Sequence, residues 1–306
     1  MRLNTINILG VTITTNPKNE ILEYVRKYLT KSQKSSANWR IKSQKLEKKP
    51  LIIVTPNPEQ VVLAQKDKHF AQVLNQADVA IPDGIGISLA VKFLNAKWHK
   101  TNDKLKLKRI AGVEFMEDLV EMASKQGYRI GLIGGRDGVA VGVLECLQQK
   151  YSNLKGWAEN GPEITVHSTE YTVHSKNRKE TNSSQQCSNI TIEQSGEVIT
   201  QQYIQDIIEK IASTETSLVF VGLGAPKQEY LIEKVKSQKS KVKSPLILMS
   251  VGGSFDILAG RIPRAPFALR ALGLEWPWRL AREPWRWRRQ FALIKFLRLV
   301  IYEKLA

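Results

Sequence analysis

The stretch from Leu51 to Ser88 does most to limit what this chain can fold into. It opens on four apolar residues, Leu51 to Val54, with no polar alternation, the pattern of a strand buried on both faces of a parallel sheet. Thr55-Pro56 breaks the run and a helix restarts. Asn57 suits its N-cap, Pro58 its first position, and Gln60 falls three residues after the cap. That helix is expected to run to about Gln76. A helix rising from the carboxyl end of a parallel strand turns free N–H groups into the crevice where phosphates and nucleotides bind. A second short strand, 78–81, then delivers Pro82-Asp83-Gly84 to the same edge. A lone carboxylate there is a candidate general base. The competing reading makes Asp83 the cap of a helix starting near Gly84.

The rest of the chain repeats this grammar. A hairpin is expected over 6–15, with helices over 17–29, 87–94, 113–125 and 201–212 and one ending near Lys150. Strands are expected over 128–133, 154–157, 218–221 and 246–251. Strands alternating with helices predict an α/β fold: a Rossmann-like, open, mostly parallel sheet with helices on both faces. Three strand–loop–helix junctions (55–60, 134–138 and 222–228) should then open on one edge. Gly134, Gly222 and Gly224 would let backbone approach a ligand closely. Gln228 would hydrogen-bond a base or sugar, or else sit exposed in a tight turn. Arg109 would pair with a diphosphate or with a neighbouring carboxylate. Neither G-x-G-x-x-G nor G-x-x-x-x-G-K-[ST] occurs, which weighs against a Rossmann-type dehydrogenase. No Asp-x-Asp occurs either, and His167 and His174 lack partners at metal spacing, so neither a metal nor a cofactor is expected.

The net charge of +17 is informative once located. Residues 31–49 hold seven Lys or Arg against one Glu, 97–109 six against Asp103, and 261–306 eleven against three Glu. Everything else is therefore close to neutral. The segments 31–49, 97–108 and 161–198 are expected as flexible inserts in a body of 1–260, the last because it is almost wholly polar. The remainder, 261–306, reads as an Arg/Trp-rich helical appendage. It holds Trp276, Trp278, Trp285 and Trp287, four of the seven tryptophans. From Trp285 its apolar side chains are broken by Arg289, Lys295 and Arg298. This suits a helix lying in a membrane interface, or one packed on the body with a solvated basic face. A nucleic-acid-binding module is the rival reading of the same charge. Two cysteines give no disulfide framework, and Cys146, in a helical pattern, is expected in the core. With no cleavage site after Met1-Arg2 and no long apolar run, a reduced, cytosolic protein is expected.

Six motifs in this order carry a resemblance: Thr55-Pro56-Asn57, Pro82-Asp83-Gly84, Arg109-Ile110-Ala111-Gly112, the run Gly222 to Glu229, Arg264-Ala265-Pro266 and Gly273-Leu274-Glu275-Trp276. The chain resembles the WecG/TagA/CpsF glycosyltransferases (glycosyltransferase family 26) over nearly its whole length outside the inserts. The resemblance implies a hexosyltransferase moving N-acetylmannosamine, or a related sugar, from a UDP donor. The implied acceptor is a GlcNAc-type sugar on undecaprenyl diphosphate, and the transfer inverts the anomeric centre without a metal. It implies work on the cytoplasmic face of the membrane in teichoic-acid, common-antigen or exopolysaccharide synthesis, leaves room for a homo-oligomer and gives no role to nucleic acid. By the same resemblance Asp83 matches the base, and Thr55, Asn57, Arg109 and Gln228 match the donor pocket. Arg279, Arg286 and Arg289 match arginines that close over the diphosphate. Glu114 stands where many members have Asp, and the three inserts are atypical.

Overall fold

In a computed structural model, the described residues are 2–37, 49–98, 109–135, 137–161, 200–238, 245–271, 275–284 and 287–305. The apolar runs form six strands: β3 (Leu51–Val54), β4 (Val79–Ala80), β5 (Arg129–Gly134), β6 (Lys155–Glu159), β7 (Leu218–Gly222) and β8 (Ile247–Ser250). They make one sheet in the order β4-β3-β8-β7-β5-β6, and every neighbouring pair is parallel. All six carboxyl ends therefore share one edge. The chain starts outward twice, from β3 to β4 on one side and from β5 to β6 on the other, and then fills the middle with β7 and β8. Where strand order diverges like this, the loops part and leave a crevice. The remaining two strands, β1 (Thr5–Ile8) and β2 (Val11–Thr14), are an antiparallel hairpin turned by Leu9 and Gly10, both at positive φ.

Helices cover both faces. On one face, α2 (Pro58–Ala64), α3 (Lys68–Asn75), α4 (Ile85–Trp98), α7 (Gln201–Ser213) and α8 (Lys227–Ser237) bury a stripe that includes Val61, Phe70, Val91, Ile208 and Leu231 against Val54, Val219 and Leu248. On the other, α1 (Lys18–Ala37), α5 (Gly112–Gln126), α6 (Val139–Lys150) and the short α9 (Ser254–Leu258) pack Ile21, Phe115, Val143 and Phe255 against Ile53, Phe220 and Met249. Residues adjacent in one strand thus feed opposite cores, as the pleat requires.

Three expectations are corrected. The helix expected over 57–76 is two helices, because Asp67 turns out of α2 and caps α3, accepting the Phe70 N–H at 2.9 Å. Helix α1 runs on to Ala37, past the expected end at Leu29 and into the first basic segment. Cys146 is exposed: the buried stripe of α6 is Val139, Ala140, Val143 and Leu147, and Cys146 falls outside it. The remaining basic and polar insert residues, 38–48, 99–108 and 162–198, with His167, His174 and Cys187, lie outside the described residues.

The tail is helical, as expected. It forms α10 (Phe267–Ala271), α11 (Glu275–Arg282) and α12 (Trp287–Leu305). Of the two readings of its last helix, packing on the body is seen: α12 packs on α2 and α4, and Phe296 and Val300 enter the same core as Val61 and Val91. Phe296 is fully buried. Burying a phenylalanine contributes roughly 2–3 kcal/mol, so this seat is a strong one.

Candidate active site

Each strand of the sheet hands its chain to a loop at the carboxyl edge, and the sequence-expected residues gather there. Past β3, Thr55 is buried and its hydroxyl lies 3.4 Å from the Ser250 carbonyl oxygen at the end of β8. Asn57 caps α2 by accepting the Gln60 N–H at 3.0 Å. Past β4, the Asp83 N–H donates to the Pro56 carbonyl (3.1 Å) and the Ile110 N–H to the Pro82 carbonyl (3.2 Å). These two bonds clamp Pro82-Asp83 between the start of α2 and the start of α5.

The Asp83 carboxylate accepts backbone N–H groups from Gly84 and Gly112, the latter at the first turn of α5. The side chain therefore sits against a helix N-terminus and also lies at the open edge. The helix it meets is α5, which has no side-chain cap from Ala111, rather than the helix following Gly84. Gly112 permits this contact. A Cβ there would lie 3.2 Å from Thr55 Cγ2 and 3.7 Å from Asp83 Oδ2. Asp83 keeps one side accessible, yet its surroundings are dense enough that burial is the main influence on the carboxyl and raises its pKa. The Arg109 cation pulls the other way, the Glu275 carboxylate adds to the rise, and the two N–H groups favour the charged form.

Arg109 pairs with Glu275 of α11, Nη2 to Oε2 at 2.5 Å. More of the tail is held nearby by charge. Arg264 and Arg270 both reach Glu114 Oε1 on α5, at 2.6 and 3.3 Å. Arg279 lies 3.7 Å from Glu283, and its Nη2 is 3.4 Å from where a Cβ on Gly253 would stand, just past β8. The tail is thus ion-paired to α5 on one face and packed through α12 on the other. Between the two it passes Asp83. Arg286 lies outside the described residues, and Arg289 falls in the first turn of α12.

The glycine junctions close the edge from β5 and β7. Gly134 sits at φ +113°, and a Cβ there would lie 2.7 Å from the Gly222 carbonyl oxygen. A Cβ on Gly222 would strike Phe255 at 2.7 Å. Gly224, at φ +79°, has open space around it. Gln228 is buried and points inward: its Oε1 accepts the Gly252 N–H (2.9 Å) and its Nε2 donates to Glu229 Oε1 (2.7 Å). Its contact with the site therefore runs through the β8 turn.

Glu229 and Glu275 were missed as site residues by sequence reasoning. Glu275 was visible only as part of Gly-Leu-Glu-Trp, with nothing to pair it to Arg109 across the chain. Glu229 lies fully buried under the edge, with Gln60 Nε2 3.5 Å from its Oε1. Among the described residues no group of three or more His, Cys, Asp or Glu is arranged to hold a metal ion.

A parallel sheet with a buried carboxylate, helix N-termini and arginines along its carboxyl edge is the layout of an α/β enzyme acting on an anionic substrate. The chain matches the glycosyl transferase WecG/TagA/CpsF family across residues 6–306 and belongs to that family, so it is a glycosyltransferase. Two relatives share the name N-acetylglucosaminyldiphosphoundecaprenol N-acetyl-beta-D-mannosaminyltransferase. That of Bacillus subtilis (strain 168) is 29% identical over 258 residues, covering 83% of this chain and 80% of the relative. That of Bacillus spizizenii is 27% identical over 255 residues, with the same coverage of each chain.

Proposed function

We propose that the protein transfers N-acetylmannosamine, or a close relative, from a UDP donor to a GlcNAc-type sugar on undecaprenyl diphosphate, with inversion. The observation that carries this reading is Asp83. Its carboxylate sits at the open edge of the sheet between Thr55, Gly112 and Arg109, and its raised pKa suits a group that must accept a proton. The relatives' names supply the sugar and the acceptor. In this reaction Asp83 takes the proton of the acceptor hydroxyl as that oxygen bonds to the anomeric carbon. The bond from that carbon to the donor phosphate breaks, and UDP leaves with the electron pair. Negative charge grows on the leaving diphosphate, where Arg279 and the start of α8, which lacks a side-chain cap, supply positive potential.

The acceptor is lipid-borne, and the surface has a matching face. No helix among the described residues is long and apolar enough to cross a membrane. Along α12, Phe291, Ile294, Leu297, Ile301, Tyr302 and Leu305 are exposed, and Leu89 and Phe93 of α4 lie exposed on the helix that α12 packs against. Lys295 and Arg298 line a shallow groove of about 380 Å³ on this face, and Lys304 lies over the Phe93 ring. Apolar side chains rimmed by cations suit peripheral attachment to an anionic leaflet, each cation adding about 1 kcal/mol. The cytoplasmic face is where a UDP-sugar would be met.

The test is UDP release by purified protein from UDP-N-acetylmannosamine, with a polyprenyl-diphosphate-GlcNAc acceptor in anionic vesicles. Release that requires both acceptor and donor is expected. No release with any UDP-N-acetylhexosamine, alongside salt-sensitive RNA binding, would favour the nucleic-acid reading of the basic charge.

A further inference from the structure

Three charges meet at the base: Asp83, Arg109 and Glu275. Two come from the body. The third comes from α11, in the tail. Arg109 Nη2 is committed to Glu275 at 2.5 Å, and both side chains are mostly buried. Arg109 Nε is also buried and makes no hydrogen bond, so the guanidinium is held from one end only. Its charge also acts on the Asp83 carboxyl and favours the ionised form. The other charges along this edge are engaged elsewhere: Glu114 with Arg264 and Arg270, and Arg279 with Glu283. Among the described residues, the N–H groups of Gly84 and Gly112 also act on Asp83 and favour its charged form.

We propose that Glu275 is a positioning residue for the base: it holds the Arg109 guanidinium, prevents it from closing on Asp83 as a direct ion pair, and so keeps that carboxylate available to the acceptor hydroxyl. The inference rests on Asp83 being the base. Without the Glu275 charge, Arg109 is left beside Asp83, whose carboxyl already responds to its charge. A carboxylate paired with arginine binds a proton more weakly, by about one to three pH units. It is then a poorer base, although every atom of the donor pocket remains. Because Glu275 rides on α11, the base is fully prepared only when the tail is seated. Two features make the coupling local: the ion pair needs α11 in place, and α11 is tied back by the Trp278 Nε1–H donating to the Pro263 carbonyl at 3.2 Å.

The experiment compares Glu275→Gln, Glu275→Asp and Asp83→Asn in the full-length protein. One readout is the pH dependence of kcat/KM with the vesicle-borne acceptor. The second is the titration of the Asp83 carboxyl itself, followed by carbon NMR on aspartate-labelled protein and assigned by its loss in Asp83→Asn. Glu275→Gln is expected to move both the acid limb and the Asp83 titration down by about one unit or more. Turnover at the optimum should fall at least tenfold, with UDP binding retained. Glu275→Asp, which keeps the charge one methylene shorter, should recover the titration in part. An unmoved Asp83 titration in Glu275→Gln, with Asp83→Asn inactive, would overturn the role of Glu275 alone. Turnover retained in Asp83→Asn would overturn the base assignment and the role of Glu275 with it.

Discussion

Glu229 is the carboxyl most deeply placed under the site, and its ionisation should be visible in the stability of the whole fold. It is fully buried between α8, α2 and the end of β8, and burial pushes its pKa from 4.5 to about 7, against the pull of the hydrogen bond from Gln228. Glu229 Oε2 and Gln60 Oε1 are both buried without a hydrogen bond, an arrangement that a proton on the carboxyl would relieve. Below about pH 4.5 the group is protonated in folded and unfolded chains alike and contributes nothing to pH dependence. Between about 4.5 and 7 the unfolded chain ionises while the fold retains its proton, so stability falls as pH rises. Above about 7 the folded state ionises too and the loss levels off. The span between the two values corresponds to about 3 kcal/mol. Glu229→Gln removes the titration and keeps the shape. Urea unfolding of both proteins from about pH 4.5 to about pH 8 should show the variant gaining on the parent by about 3 kcal/mol across that range. The reasoning is refuted by a difference that stays flat, which would mean that Glu229 is ionised in the fold at every pH tested.

Asp83→Asn should cut turnover by roughly 10²–10⁴-fold with little change in UDP binding, and the parent enzyme should lose activity as pH falls through the raised pKa of that carboxyl. Gly134→Ala places a Cβ 2.7 Å from the Gly222 carbonyl at a positive φ, and urea unfolding should show a loss of about 3 kcal/mol. Gly112→Ala crowds Thr55 Cγ2 at 3.2 Å beside Asp83, so turnover should fall while the melting temperature moves little. Phe296→Ala should cost about 3–5 kcal/mol of stability. Phe291→Ala, at a side chain 58% exposed, should leave stability within about 0.5 kcal/mol and weaken sedimentation with anionic vesicles. Equal vesicle binding by parent and variant would remove Phe291 from the attachment face.

The sheet was legible because parallel strands carry their signal inside themselves. Leu51 to Val54, Leu218 to Val221 and Leu246 to Val251 are apolar on both faces whatever lies beside them. Strand order was not legible, since β8 inserts between β3 and β7 through contacts that no local pattern encodes. The break after α2 was hidden for a similar reason. Val61, Val62 and Ala64 run in helical period into Phe70, Val73 and Leu74, while Asp67 caps α3 and also accepts the Tyr230 hydroxyl at 2.6 Å from α8. Asp83 stood out as an isolated charge past a strand end, and Arg109 as the opening residue of Arg109-Ile110-Ala111-Gly112. Glu275 did not, because its meaning depends on a partner 166 positions earlier. Gln228 read either as a ligand contact or as an exposed residue of a tight turn; packing shows it buried, its side chain accepting the Gly252 N–H.

The seat of α12 on α2 and α4 also fixes an order of events during synthesis. Phe296 and Val300 leave the ribosome long after the helices they cover. Until then Val61, Ile87 and Val91 have no partner on that side, and the nascent chain carries a bare apolar groove suited to a holding chaperone. The ion pair at Arg109 waits on the same stretch, because Glu275 emerges only shortly before α12. A product terminated ahead of α12 is therefore an unfinished fold, not a smaller soluble enzyme. Full-length chains should be the first in which protection from proteolysis and sugar transfer appear together.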